Sequence, residues 1–156
     1  MKKQVLWLLT LGGFLTLFSC TKSSALSDAE EDTLIKAYIT KKGWTAQSTP
    51  EGVYYVTDVA GTGTATPALS NIVKVYYKGY LMSDETVFDS NLTPKAPIEF
   101  PLTNLIKGWQ IGFQKFKAGS KGKLIIPSRH AYGTAGSGGV PANAILVFDV
   151  ELVSFR

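Results

Sequence analysis

A chain of 156 residues with 45% hydrophobic and 18% charged residues has the size and composition of one folded domain with its own core, which excludes a wholly disordered or collagen-like polypeptide. One Cys and one His exclude an intrachain disulfide, a Cys/His structural zinc site and a thiol relay, and no metal and no cofactor are expected. The net charge of +4 includes Lys2 and Lys3 of an N-terminal leader, and the other basic residues are dispersed among acidic ones, so nucleic acid is not an expected partner.

Residues 1–19 read as an export signal. Lys2 and Lys3 form its basic start and residues 5–18 an apolar stretch too short to span a bilayer comfortably. The stretch ends in Leu17-Phe18-Ser19-Cys20, which resembles the lipobox of bacterial lipoproteins. That resemblance implies lipidation at Cys20, membrane attachment through the lipid, and a place at the cell envelope, on the outer membrane or periplasmic face in a Gram-negative source. Residues 20–26 then read as a small, polar tether.

An extension over residues 27–52 opens with a helix. Ser27 and Glu30 are spaced as a capping box, Asp28 and Glu31 suit its positive start, and Lys41, Lys42 and Gly43 suit its end. Leu34, Ile35, Tyr38 and Ile39 form an apolar face, expected to pack on the rest of the domain. Residues 44–48 and 53–56 read as a hairpin about a Pro50-Glu51-Gly52 turn. Gly61-x-Gly63 runs into Pro67 without a third glycine, so it is a turn and not a dinucleotide fingerprint. Further strands are predicted over 72–82, 86–89, 98–100, 121–126 and 144–154, and one short helix over 104–116. The fold class is α+β: a mostly antiparallel sheet burying one face under that helix.

Acid-base chemistry has few candidates. His130 stands in a loop-like stretch and reads as solvated, whereas Asp89 follows Val87-Phe88 where an apolar strand opens into a loop, so it either caps the loop or faces a pocket. Tyr77, Phe88, Phe100, Trp109, Tyr132 and Phe148 recur along strands or near their ends. Core packing explains any one of them; as a set they suit an apolar cleft for a small apolar side chain.

Val75-Tyr76-Tyr77-Lys78-Gly79, Val87-Phe88-Asp89-Ser90, Leu105-Ile106-Lys107-Gly108-Trp109, Ala131-Tyr132-Gly133 and residues 146–152, Leu-Val-Phe-Asp-Val-Glu-Leu, together resemble the FKBP-type peptidyl-prolyl cis-trans isomerases in order and spacing. The resemblance covers residues 53–156. It implies a strongly bent antiparallel sheet wrapped around the short helix, with a prolyl pocket between them. It further implies Trp109 as the pocket floor, Tyr77, Phe88 and Phe148 as aromatic walls, Asp89 as the adjacent carboxylate and Tyr132 as a hydroxyl donor. Leu105 and Ile106 would flank the substrate, with the Ile106 N–H holding a substrate carbonyl, and Ile98, Phe100 and Val140 would complete the binding surface. Ile98, Leu105 and Ser137 stand where the family more often has an aromatic residue, Val and, in some members, His. The implied partners are Pro-containing polypeptides of exported proteins and, as inhibitors, macrolides. A lipid-anchored binding or chaperone module with little turnover would use the same pocket.

Overall fold

The computed structural model describes residues 25–93 and 96–156. In chain order it has helix α1 (Asp28–Lys42), strands β1 (Gln47–Ser48), β2 (Tyr54–Val59), β3 (Ile72–Leu81), β4 (Val87–Ser90) and β5 (Ile98–Pro101), helix α2 (Lys107–Gly112), and strands β6 (Lys121–Ile126) and β7 (Leu146–Phe155). The strands form one antiparallel sheet in the order β1-β2-β6-β7-β3-β4, and β5 also pairs with β3. Register shifts at 57/59, 74/75 and 79/80 mark bulges, which bend and twist the strands that carry them.

Side chains alternate between two cores because strand periodicity is two. Val73, Val75 and Tyr77 of β3, Leu124 and Ile126 of β6, and Leu146, Phe148, Val150 and Leu152 of β7 face an inner core with Trp109, Ile111, Phe113 and Phe116. Tyr54 and Val56 of β2, Tyr80 of β3, and Ile125 and Val147 point the other way, where they meet Ile35 of α1. The continuous apolar run at 145–148 thus has a physical cause: β7 is covered on both faces here.

Helix α1 forms as its sequence predicts. Ser27 and Glu30 make both capping-box hydrogen bonds, and Gly43 ends the helix at φ 67, a left-handed conformation that glycine adopts without penalty. Two details differ. Leu34, expected on the buried face, is 45% exposed, while Glu31, expected at a solvated helix start, is 2% exposed. The strand expected over 44–48 is reduced to Gln47–Ser48, because Trp44 folds back against Tyr38, ring centroids 5.6 Å apart, and joins the outer core.

The second helix is shorter than the apolar pattern over 104–116 suggests. A 3-10 turn (Leu102–Asn104), extended Leu105 and Ile106, the six residues of α2 and another 3-10 turn (Phe113–Lys115) replace one continuous helix. Periodicity overran because Leu105 and Ile106 are apolar for a cleft and not for a helix face. Gly108 and Gly112, one turn apart, set α2 against β6: a β-carbon on Gly108 would lie 2.2 Å from Ile126, and one on Gly112 2.4 Å from Leu124.

Candidate active site

Between α2 and the inner sheet face lies a cavity of about 270 Å3 lined by Tyr77, Phe88, Asp89, Phe100, Asn104, Leu105, Ile106, Trp109, Tyr132 and Phe148. The buried indole of Trp109 is its centre. Tyr77, Phe100 and Phe148 stand edge-on to it at 5.2, 6.3 and 5.1 Å, with Phe113 behind at 5.0 Å. Phe88 meets Phe148 edge-on at 5.6 Å. Such edge contacts satisfy the ring quadrupoles and hold the walls fixed. Gly79 is required here, because a β-carbon would come within 2.6 Å of Phe148 and 2.7 Å of Phe88.

Few polar groups reach the cavity. The Tyr77 hydroxyl donates to Asp89 Oδ2 at 2.8 Å; burial first, and then the bond to the carboxylate, pushes the phenol above the ordinary tyrosine range. Tyr132, half-exposed at the rim, is also shifted upward, by burial first and then by the charge of Asp89. The Ile106 N–H makes no hydrogen bond among the described residues, while the Ile106 carbonyl accepts from Trp109 and Gln110 at 2.9 and 3.2 Å. Gln110 Nε2 also donates to the carbonyls of Thr103 and Leu105. The chain before α2 is therefore held by these bonds, with the Ile106 N–H unpaired among the described residues at a residue that lines the cavity. Trp109 Nε1 is buried and likewise has no hydrogen-bond partner among the described residues.

The wall that carries Asp89 is fixed by Asn91. β4 and β5 pair with different stretches of β3, and buried Asn91 bridges the interval. Its Oδ1 accepts from Tyr77 N–H at 2.7 Å, and its Nδ2 donates to the carbonyls of Val75 and Ala96 at 2.9 and 3.1 Å. Asn91 and the cavity-lining Asn104 are absent from the sequence reading. The signal for Asn91 was present as a polar residue closing the Val87-Phe88-Asp89-Ser90 strand, where only a side chain can replace lost ladder bonds.

The structure gathers Tyr77, Phe88, Asp89, Phe100, Leu105, Ile106, Trp109, Tyr132 and Phe148 at one cavity. Ile98 and Val140 do not line it. Ile98 is exposed on β5, two residues from Phe100; Val140 is buried in the inner core, where reciprocal backbone bonds with Ser137 turn the loop inward. His130 is not among the residues that line the cavity; its Nε2 lies 3.1 Å from the Glu51 carbonyl. Cys20 lies outside the described residues. Three larger depressions, about 520, 440 and 460 Å3, lie on the outer sheet face and beside α1; the first also has aromatic lining residues, Trp44, Tyr76, Tyr77 and Tyr80, but none of the three includes Trp109 or the rings that meet it apart from Tyr77.

Residues 63–153 match the family model described as FKBP-type peptidyl-prolyl cis-trans isomerase. Among similar proteins, the FKBP-type peptidyl-prolyl cis-trans isomerase FkpA of Aeromonas hydrophila is 44% identical over 141 residues, covering 87% of this chain and 51% of that protein. FkpA of Escherichia coli K12 is 40% identical over 135 residues, covering 86% and 48%. The chain thus spans about half the length of these relatives. The crystal structure of Escherichia coli FkpA superposes with a TM-score of 0.70 at 38% identity, covering 82% of this chain and 60% of that one. A peptidyl-prolyl cis-trans isomerase structure from Pseudomonas syringae gives 0.69 at 26% identity, covering 85% and 98%.

Proposed function

We propose, from the premise that the chain belongs to the FKBP-type peptidyl-prolyl cis-trans isomerase family, that it catalyses rotation about prolyl peptide bonds in Pro-containing polypeptides. The observation that carries this reading is the ring-lined cavity on Trp109, whose lining residue Ile106 has an N–H unpaired among the described residues. Rotation of an amide meets a barrier of about 18–20 kcal/mol because resonance keeps the bond planar. The twisted state loses that resonance, and with it much of its demand for water around the carbonyl. An apolar cavity that takes the prolyl amide out of water, with fixed donors on neighbouring carbonyls, therefore favours the twisted state over the planar one.

In this reading Trp109 is the floor under the proline ring, and Tyr77, Phe88, Phe100 and Phe148 are the walls. Leu105 and Ile106 flank the substrate, the Ile106 N–H and the Tyr132 hydroxyl donate to its carbonyls, and Asp89 holds Tyr77. Ile98 extends the binding face along β5, and Val140 supports the loop from beneath. Macrolides that present a proline-like ring would compete for the same cavity. The isomerase domain comprises residues 53–156, preceded by the extension at 27–52 and the tether at 20–26.

The mechanism moves no proton, which fixes its pH dependence. The phenols of Tyr77 and Tyr132 are shifted upward, so both stay protonated as pH rises past the ordinary tyrosine value of about 10. Catalysed cis-to-trans rates are expected to vary little between about pH 6 and 8.5. By linkage, a raised tyrosine stabilises the fold below about pH 10, and that contribution is lost only above it. Peptide isomerisation rates across this range, corrected for the uncatalysed reaction, check the expectation. A limb near 6.5 that vanishes in His130→Ala would replace this mechanism with acid-base assistance.

We further assign residues 1–19 to an export signal and Cys20 to a lipid anchor that attaches the domain at the bacterial cell envelope, where its clients would be exported proteins. Among the described residues no helix is long and apolar enough to cross a membrane. Mass spectrometry of the mature chain should find an acylated Cys20 as its first residue, and Cys20→Ala should leave the membrane fraction. An unmodified chain that retains Met1 contradicts the anchor.

A further inference from the structure

We propose that Glu31, in the N-terminal helix, is a positioning residue for Tyr132, which makes α1 a working part of the prolyl site; the catalytic half of this inference rests on the isomerase reading above. Asp28, Glu30 and Glu31 stand in the first turn of α1, yet only Glu31 is buried. Removing a carboxylate from water is costly unless it is well bonded. Its Oε2 accepts the Ser128 N–H at 2.9 Å, across 97 positions of sequence, while Oε1 has no partner among the described residues.

Ser128 opens the 3-10 turn Ser128–His130, whose first N–H has no partner within the turn and is a natural place for a carboxylate. The Ser128 carbonyl in turn accepts from the N–H groups of Ala131 and Gly133, at 3.0 and 2.9 Å. Those two residues flank Tyr132. One residue, Ser128, is thus held by Glu31 through its N–H and holds both neighbours of Tyr132 through its carbonyl. Arg129 adds an ion pair to Asp28 at 3.2 Å and a bond to the Glu51 carbonyl at 2.9 Å, but both are exposed and solvent-screened. Ile35, one turn after Glu31 and buried, keeps this part of α1 against the sheet.

The hydroxyl of Tyr132 sits at the cavity rim on a loop rather than on the sheet, so its placement depends on these bonds, and small misplacements of a donor cost catalysis heavily. The test uses the full chain and a short prolyl peptide. It measures kcat/KM for wild type, Glu31→Ala and Glu31→Gln, in both the Tyr132 and Tyr132→Phe backgrounds, together with amide exchange at Ala131 and Gly133. Glu31→Ala is expected to lower kcat/KM by about threefold to tenfold, the scale of one net hydrogen bond, and to speed exchange at both amides. Glu31→Gln keeps an acceptor for Ser128 and should restore most of the loss. In the Tyr132→Phe background Glu31→Ala should cost less than about twofold, because the group it positions is gone. An equal loss in both backgrounds would show a purely structural role, and full activity in Glu31→Ala would also overturn the proposal. Absence of turnover in wild type would refute the isomerase reading instead, and the link to the Tyr132 loop would then be decided by exchange alone, with unchanged protection in Glu31→Ala overturning it.

Discussion

Trp109→Ala is expected to reduce kcat/KM for a prolyl peptide by up to about fiftyfold, since a proline ring has three methylenes, each worth about 0.8 kcal/mol when buried. Tyr132→Phe removes one hydroxyl donor at the rim, so its loss should be only about twofold to tenfold. Trp109 is also central to the inner core, in edge contact with four other rings. Truncating it is therefore expected to cost about 3–5 kcal/mol of stability. Circular dichroism and denaturant unfolding must accompany the kinetics, and assays belong at a temperature where the variant is folded. A folded Trp109→Ala with wild-type kcat/KM would place turnover outside this cavity.

Gly108→Ala is expected to lower stability by about 1–3 kcal/mol, the usual cost of overpacking, although Ala is the better helix former by about 1 kcal/mol. The sign is decided by space. The new methyl would meet the Cγ2, Cδ1 and Cγ1 atoms of Ile126 at 2.2, 2.7 and 2.8 Å, and Ile126 is fully buried in a central strand. Helix α2 must then lift from β6, carrying Trp109 with it, so activity should fall together with the denaturation midpoint. Ile126→Ala makes room. The double variant should be more stable than the two single losses predict, because the added methyl fills part of the cavity that Ile126→Ala opens. Additive losses would mean that this close approach does not set the helix position.

Much of this was legible in the sequence where local chemistry and tertiary packing agree. The capping box of Ser27 and Glu30 and the glycine at 43 marked α1, and short apolar stretches rich in β-branched and aromatic residues marked β3 and β6. The motif residues converge on one cavity because they occupy strands β3, β4 and β7, the chain leading into α2 and its first turn, and, for Tyr132, the loop between β6 and β7. Legibility failed where one residue type serves two purposes. Leu105 and Ile106 extended an apolar helical pattern but belong to the chain leading into α2. Glu31 matched the acidic preference of a helix start, yet its partner is the Ser128 amide, which the linear sequence does not reveal. Ile98 and Val140, which the resemblance places at the substrate surface, do not line the cavity: the first stands exposed on β5, two residues from Phe100, and the second is a loop residue turned into the inner core. Asn91 and Asn104 carry no hydrophobic periodicity, so pattern reading passes over them although one fixes β3 and the other lines the cavity.

The most direct test of the account is exchange NMR on a short Pro-containing peptide with a catalytic amount of the full chain. Uncatalysed isomerisation takes tens to hundreds of seconds at 25 °C, so cis and trans resonances of the free peptide show no exchange on the one-second timescale. Cross-peaks between them are expected when the wild-type protein is added, and their loss on adding a macrolide that fills the cavity on Trp109. Peptide binding at that cavity, seen as shifts of the Trp109 indole N–H, with no exchange cross-peaks under saturating conditions would contradict catalysis and establish a prolyl-binding module instead.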